Sequence, residues 1–298
     1  MTGYLAADGF LAELVAELGT VSAVHDRLVI ADGPPRPAAW AADVWLNPER
    51  IAIKSIVDAG KALRARHSYW AHYSFHLHRR AQLIADQTRS MPVEPTAFPA
   101  PAPRVAIGGW ALIDEHTLIA APHRSCPFPL GEINFIENHT DPPSRAYLKL
   151  WELFSRLKVW PQAGQRCLDL GACPGGWTWV LQGLGAKVVA VDKAPLAPRI
   201  ARLVECRQES AFGLKPEPTD WLFSDVICEP ARLLKLVERW LPVAPNIVCT
   251  LKFKGATDHA TARAFAAIPG SRVLHLHHNR HELTWFRLAP ELMPTGGF

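Results

Sequence analysis

At 298 residues, with 49% hydrophobic and 20% charged residues, the chain is long enough to bury a sizeable core and to form two domains, which excludes a disordered or fibrous protein. The net charge of +4 does not by itself require a polyanionic partner. Its distribution is uneven, with 12 Lys plus Arg against 14 Asp plus Glu in residues 1–140 and 20 against 14 in residues 141–298.

The opening segment MTGYLAADGFLAELVAELG has no basic leader, and no apolar stretch of membrane length follows it, so a cytoplasmic location with no membrane partner is expected. Within it, Phe10, Leu11, Leu14, Val15 and Leu18 recur at helical spacing, and Gly19 is placed to end the helix. Short strands are expected at Arg27 to Ile30 and Arg104 to Ile107, which makes this half a small α+β domain.

Residues 61–80, KALRARHSYWAHYSFHLHRR, carry five Lys or Arg, four His and four aromatics with no acid. Cations meet phosphates and aromatic faces stack on unpaired bases, so the composition suits looped RNA. An amphipathic helix with core aromatics and solvated cations is the plainer alternative. His72 and His76 stand four apart, but with no Cys, Asp or Glu nearby they do not read as a zinc site.

Residues 91–103, MPVEPTAFPAPAP, hold five prolines and no apolar periodicity, and are expected to be a connector. A second break, HTDPP at 139–143, precedes the helical spacing of Leu148, Leu150, Leu153, Phe154 and Leu157. The domain boundary is therefore set at 140/141, giving an N-terminal domain over 1–140 and a second over 141–298.

Beyond the boundary, strand-like runs at Cys167 to Leu170, Val188 to Asp192, Trp221 to Asp225, Asn246 to Leu251 and Arg272 to His277 alternate with helical stretches. Such alternation implies βαβ units around a largely parallel, doubly wound sheet. Leu283 to Leu288 follows too soon for a crossover helix and is expected to be antiparallel. The six cysteines include no C-x-x-C pair and are read as reduced structural residues.

The first of these strands runs into Asp169, Gly171, Ala172, Cys173, Pro174, Gly175 and Gly176. Glycines let backbone approach a ligand closely, and ligands of such sheets bind beyond the carboxyl ends of the strands. The spacing is not G-x-G-x-x-G and no phosphate-binding lysine follows, which favours a nucleoside with a small charged tail over a pyrophosphate and disfavours a nicotinamide oxidoreductase. Asp192, at the end of the next strand, is placed to accept hydrogen bonds from a ribose diol.

With CPGGWT after a strand and a lysine upstream, residues 141–298 resemble the FtsJ-type family of RNA ribose 2′-O-methyltransferases, and within it the RlmM branch, which acts on large-subunit ribosomal RNA. The matching stretches are PPSRAYLKL (142–150), LDLGACPGGWTW (168–179), VVAVDKAPL (188–196), DVICEPARLLKLVERWL (225–241), LKFK (251–254) and HNRHELTWF (278–286). The resemblance implies a Rossmann-like α/β fold, S-adenosyl-L-methionine as cofactor, RNA as partner and no metal. It leaves the oligomeric state open. It also implies a Lys-Asp-Lys-Glu tetrad at Lys149, Asp225, Lys252 and Glu282, with Lys252 as general base, and cofactor contacts from Cys173, Pro174, Gly175, Gly176, Trp177, Asp192, Glu209 and Asp225, alongside Asp169 and Gly171 of the loop.

For Lys252 the chemistry asks that desolvation and a nearby cation such as Lys149 lower its pKa. Two positions depart from the family's pattern: Glu209 stands where Asp is usual, and Ala146 where the branch offers a serine hydroxyl. ADGFLAELVAELG resembles the opening helix of the branch's N-terminal RNA-binding region. The rival readings are a base-directed methyltransferase and a catalytically silent RNA-binding assembly factor. Against the first, the segment DVICEP lacks an aromatic to clamp a flipped base; against the second stands the intact tetrad.

Overall fold

A computed structural model describes residues 1–91 and 94–293, so that Pro92 and Val93 of the proline-rich connector lie outside the described residues. The chain divides into two compact units, Met1–Phe135 and Ile136 onward, a boundary a few residues ahead of the HTDPP break.

The N-terminal unit holds two five-stranded sheets. One is antiparallel, with His123–Arg124, Ala41–Leu46, Thr2–Ala6, Leu28–Ala31 and Ala23–His25 side by side. The helix Leu11–Leu18 follows the first strand and ends on Gly19 at φ 72°, a left-handed conformation that glycine adopts without steric cost. The second sheet orders Glu49–Ala52, Thr117–Ala121, Gly108–Asp114, Tyr69–Tyr73 and Arg89–Ser90.

Two expectations for this half need correction. Arg104 to Ile107 is not a strand; the strand starts at Gly108. It opens on a glycine pair: a Cβ at Gly108 would lie 2.5 Å from the Trp70 ring and one at Gly109 2.7 Å from Trp45. Two indoles therefore pack against bare backbone. Nor is 61–80 one helix: it passes from the helix Ile56–Arg66 through the strand Tyr69–Tyr73 into the helix His78–Ala85.

The C-terminal unit is α/β, with the doubly wound sheet expected of it. In chain order its main elements are α1 (Tyr147–Leu157), β1 (Arg166–Leu170), α2 (Gly176–Gly183), β2 (Lys187–Val191), α3 (Pro198–Ala201), β3 (Glu205–Arg207), β4 (Trp221–Ser224), α4 (Pro230–Trp240), β5 (Asn246–Lys252), α5 (His259–Ala266), β6 (Ser271–Leu274) and β7 (Glu282–Arg287). The strand order is β3-β2-β1-β4-β5-β7-β6. β1 through β5 pair in parallel, while β7 runs antiparallel to both β5 and β6 and lies between them. The order reverses between β1 and β4, and at such a switch point the loops diverge and leave a crevice beyond the carboxyl edge.

The central strands read as continuous apolar runs because helices cover both faces. Leu168, Leu222, Phe223, Ile247 and Cys249 are fully buried. At the centre of β7, Trp285 is also fully buried, and its indole Nε1 donates to the carbonyl oxygen of Phe265 at 3.0 Å. That bond and the ring contact with Phe265 dock α5 onto the sheet. Trp285→Ala is expected to lower the stability of this unit by about 3–5 kcal/mol, measured as the shift of its unfolding transition in urea, since it removes a large core ring and leaves a cavity. A loss below about 1 kcal/mol would place the ring outside the core.

Candidate active site

Sheet register brings three of the four tetrad residues together. β4 and β5 pair in parallel with Ser224 opposite Cys249, so Asp225, the first residue past β4, lies beside Thr250 of β5. β5 and β7 pair with Lys252 directly opposite Glu282, and directly opposed residues of an antiparallel pair share a face. The fourth, Lys149, arrives from α1.

The resulting contacts are close. Lys149 Nζ lies 2.9 and 3.0 Å from the two carboxylate oxygens of Asp225 and 3.0 Å from Glu282 Oε1. Lys252 Nζ is 3.0 Å from Asp225 Oδ1 and also donates to the Asp225 carbonyl oxygen. The Thr250 hydroxyl donates to Asp225 Oδ1. Two ammonium groups and two carboxylates thus balance one another at the end of β4.

Burial ranks the two lysines. The side chain of Lys149 is 9% exposed and that of Lys252 21%. Burial alone would lower the pKa of Lys149, but Asp225 first and Glu282 second overcome it, so the amine is raised and stays charged. Burial likewise opposes the charge of Asp225, and Lys149 with Lys252 hold it below the ordinary carboxylate range. Lys149 is thereby a fixed counter-ion, while Lys252 is the amine nearer solvent.

The glycine loop borders this cluster. Gly171 sits at φ 77°, and a Cβ there would meet Val226 Cα at 2.7 Å, so the turn after β1 and the segment after Asp225 touch through backbone. Lys149 Nζ stands 5.8 Å from the centre of the Trp177 ring. Trp177 is itself buried, its Nε1 donating to the Ala146 carbonyl oxygen at 3.0 Å, which fastens α2 to the start of α1.

Asp192, half-buried at the end of β2, accepts from the backbone N–H of Cys173 at 3.0 Å and of Ala194 at 2.9 Å. A carboxylate has about four acceptor positions, so it keeps capacity for a ligand diol. The loop's glycines, this carboxylate and the first N–H groups of α2 suit a nucleoside with a charged tail. Cys173 is half-buried, Pro174 exposed, and Glu209 exposed just beyond β3.

Three features escaped sequence reasoning. Thr250 shares Asp225, and a polar residue next to the end of an apolar strand was the available signal. Ala146 offers no hydroxyl, yet Ser144 does: a Cβ at Gly176 would lie 2.5 Å from its Oγ. Glu152, fully buried on α1, accepts from Arg156 and from the backbone of His277 and His278. Burial opposes its charge, but Arg156 and then His278 hold its pKa at about 2.

In the N-terminal unit, Lys61, Arg64, Arg66 and Arg79 are exposed, whereas Trp70 and Tyr73 belong to the core and offer no face to a base. His72 lies in a strand, stacked on Trp110, so the spacing to His76 is not helical. Among the described residues no group of three or more His, Cys, Asp or Glu could hold a metal ion, and no helix is long and apolar enough to cross a membrane.

Residues 142–248 match the family model for FtsJ-like methyltransferases. That match bears out the family resemblance carried by the motifs. Three proteins named ribosomal RNA large subunit methyltransferase M agree with it. The chain is 34% identical to the one from Azotobacter vinelandii over 188 residues, covering 56% of this chain and 53% of that protein. It is 34% identical to the one from Laribacter hongkongensis, covering 58% and 55%. With the one from Halorhodospira halophila it shares 38% identity, over 51% and 49%. The chain thus spans about half the length of the curated relatives it matches.

Asp169 closes the site from below. It is fully buried, accepts from the Thr178 hydroxyl at 2.6 Å, and has a pKa pushed up to about 7 chiefly by burial, with Asp225 and Asp192 adding to the rise. From about pH 4 to pH 7 the unfolded chain has lost this proton while the folded chain keeps it, so folding stability falls as pH rises and then levels. Asp169→Asn is expected to remove on the order of 4 kcal/mol of that decline, read as the pH-dependent difference in unfolding free energy between the two chains. A difference that does not vary with pH would show that Asp169 is ionised throughout.

Proposed function

We propose that the chain transfers a methyl group from S-adenosyl-L-methionine to a ribose 2′-hydroxyl of RNA, with large-subunit ribosomal RNA as substrate and Lys252 as general base. One observation carries the reading: Lys149, Asp225, Lys252 and Glu282, scattered over more than a hundred residues, meet at one sheet edge beside the CPGG loop. The FtsJ-like match and the names of the relatives support the cofactor and the kind of substrate.

The residues suit the cofactor: Gly171, Gly175 and Gly176 let the loop turn tightly against Val226, Ile200 and Ser144 at the carboxyl edge of the sheet, and Asp192 is the acceptor for a ribose diol. When bound, S-adenosyl-L-methionine supplies an electrophilic methyl group. A ribose hydroxyl is a poor nucleophile until its proton leaves, and Lys252, the more exposed amine, is placed to take it once its own ammonium has released a proton to solvent. The proton ends on Nζ, where Asp225 Oδ1 at 3.0 Å stabilises the ammonium so formed. Lys149 keeps Asp225 and Glu282 in place, and most of the rate comes from alignment of the hydroxyl with the methyl group. The N-terminal unit, with its exposed arginines, is the proposed RNA-docking region, and the cytoplasm the expected compartment.

Lys252→Ala is expected to lower methyl transfer to a large-subunit ribosomal RNA transcript by at least about a hundredfold, while the Kd for the cofactor stays within about threefold. Labelled methyl groups and the alkali resistance of the modified linkage report the reaction, because a 2′-O-methyl blocks cleavage and a base methyl does not. Full activity in the variant would eliminate this base.

A further inference from the structure

β6 ends at Leu274 and β7 begins at Glu282, and the segment between them has no ladder partner in the sheet. At its far end His281 is tied to the segment after β5, its carbonyl oxygen accepting from Phe253 N at 3.2 Å and its ring 2.9 Å from the Thr257 hydroxyl; at its near end it is held by one carboxylate on α1. Glu152, one helical turn after Lys149 on α1, is fully buried and takes the consecutive backbone N–H groups of His277 at 2.8 Å and His278 at 3.0 Å. His278 Nδ1 lies 2.7 Å from the same carboxylate. Arg156 donates to Glu152 Oε1 through Nε at 2.9 Å and a terminal nitrogen at 2.7 Å, which neutralises the charge but by itself gives no reason to engage the loop.

The loop is stiff from that anchor to Glu282. Asn279 N donates to the Leu276 carbonyl oxygen at 2.9 Å, and the side chain of Asn279 bonds Thr284. Glu282 N donates to Arg280 O at 2.8 Å, an oxygen that also has His275 Nε2 at 3.0 Å. A shift at His277 and His278 is therefore passed on to Glu282, whose carboxylate must meet Lys149 at 3.0 Å.

We propose that Glu152 is a positioning residue for the reaction: it ties the helix carrying Lys149 to the loop delivering Glu282 and so sets the spacing between those two groups. This rests on the roles assigned above to Lys149 and Glu282. Glu152 touches no reacting atom, and its effect runs through the 277–282 loop.

The test uses the whole chain with S-adenosyl-L-methionine and a ribosomal RNA transcript. Glu152→Gln keeps the shape of the side chain but replaces one acceptor oxygen with a donor. Because it leaves the Arg156 guanidinium facing a neutral group, the double variant Glu152→Gln with Arg156→Gln provides a charge-balanced second version. In either variant kcat should fall about tenfold or more, with the cofactor Kd and the KM for RNA within about threefold. In a Glu282→Gln background the Glu152 substitution should cost little further, since both act on one contact. An unchanged kcat, or the same loss in both backgrounds, overturns the inference. Absence of ribose methylation by the unaltered chain overturns the reading of the site, and this inference with it.

Discussion

Asp225 accepts from two lysine side chains and a threonine hydroxyl, on the two elements α1 and β5, within about 3 Å. Such a carboxylate cannot be left half-satisfied: losing one member of a buried ion pair costs about 3–5 kcal/mol, since the remaining charge stays desolvated. α1, β4 and β5 are therefore held together by the same group that stands at the centre of the candidate site. Glu282 completes the arrangement from β7, and with four charges of balanced sign the cluster is neutral as a whole. The site's geometry is a consequence of charge pairing rather than of packing alone.

Beneath the cluster the constraint is steric. The turn at Gly171 passes so close to Val226 that a methyl group could not be fitted between them, and its positive φ excludes most other residues independently of space. The start of the CPGG loop and the segment after Asp225 are consequently in direct backbone contact. Asp169, two residues before Gly171, accepts from Thr178 in the first turn of α2 and so links the two ends of the loop.

Much of this was legible in the residues, and the pattern of what was not is physical. The apolar runs of β1, β2, β4 and β5 announce themselves because each is buried on both faces, and the run-ending Asp225 and Lys252 point to one sheet edge. β3, three residues of Glu, Cys and Arg at the sheet margin, has no such pattern and was missed. In the N-terminal half, the strand was expected at Arg104 to Ile107 and not from Gly108 on, because the reason for Gly108 and Gly109, two tryptophan rings from distant segments, is invisible locally. The composition of 61–80 suggested a stacking surface, but composition does not say which aromatics face inward, and Trp70 and Tyr73 do. The pairing of Lys252 with Glu282 and the loop-holding role of Glu152 depend on register and on long-range contact, neither of which a single sequence prints.

The reversed direction of β7 has a practical corollary. Because this strand starts at the reactive edge with Glu282 and leads away from it, the backbone leaves the sheet after Arg287 on the side remote from the tetrad. A reporter dye attached just behind that point would sit at the end of the strand away from the tetrad. The same attachment near residue 280 would stand beside it.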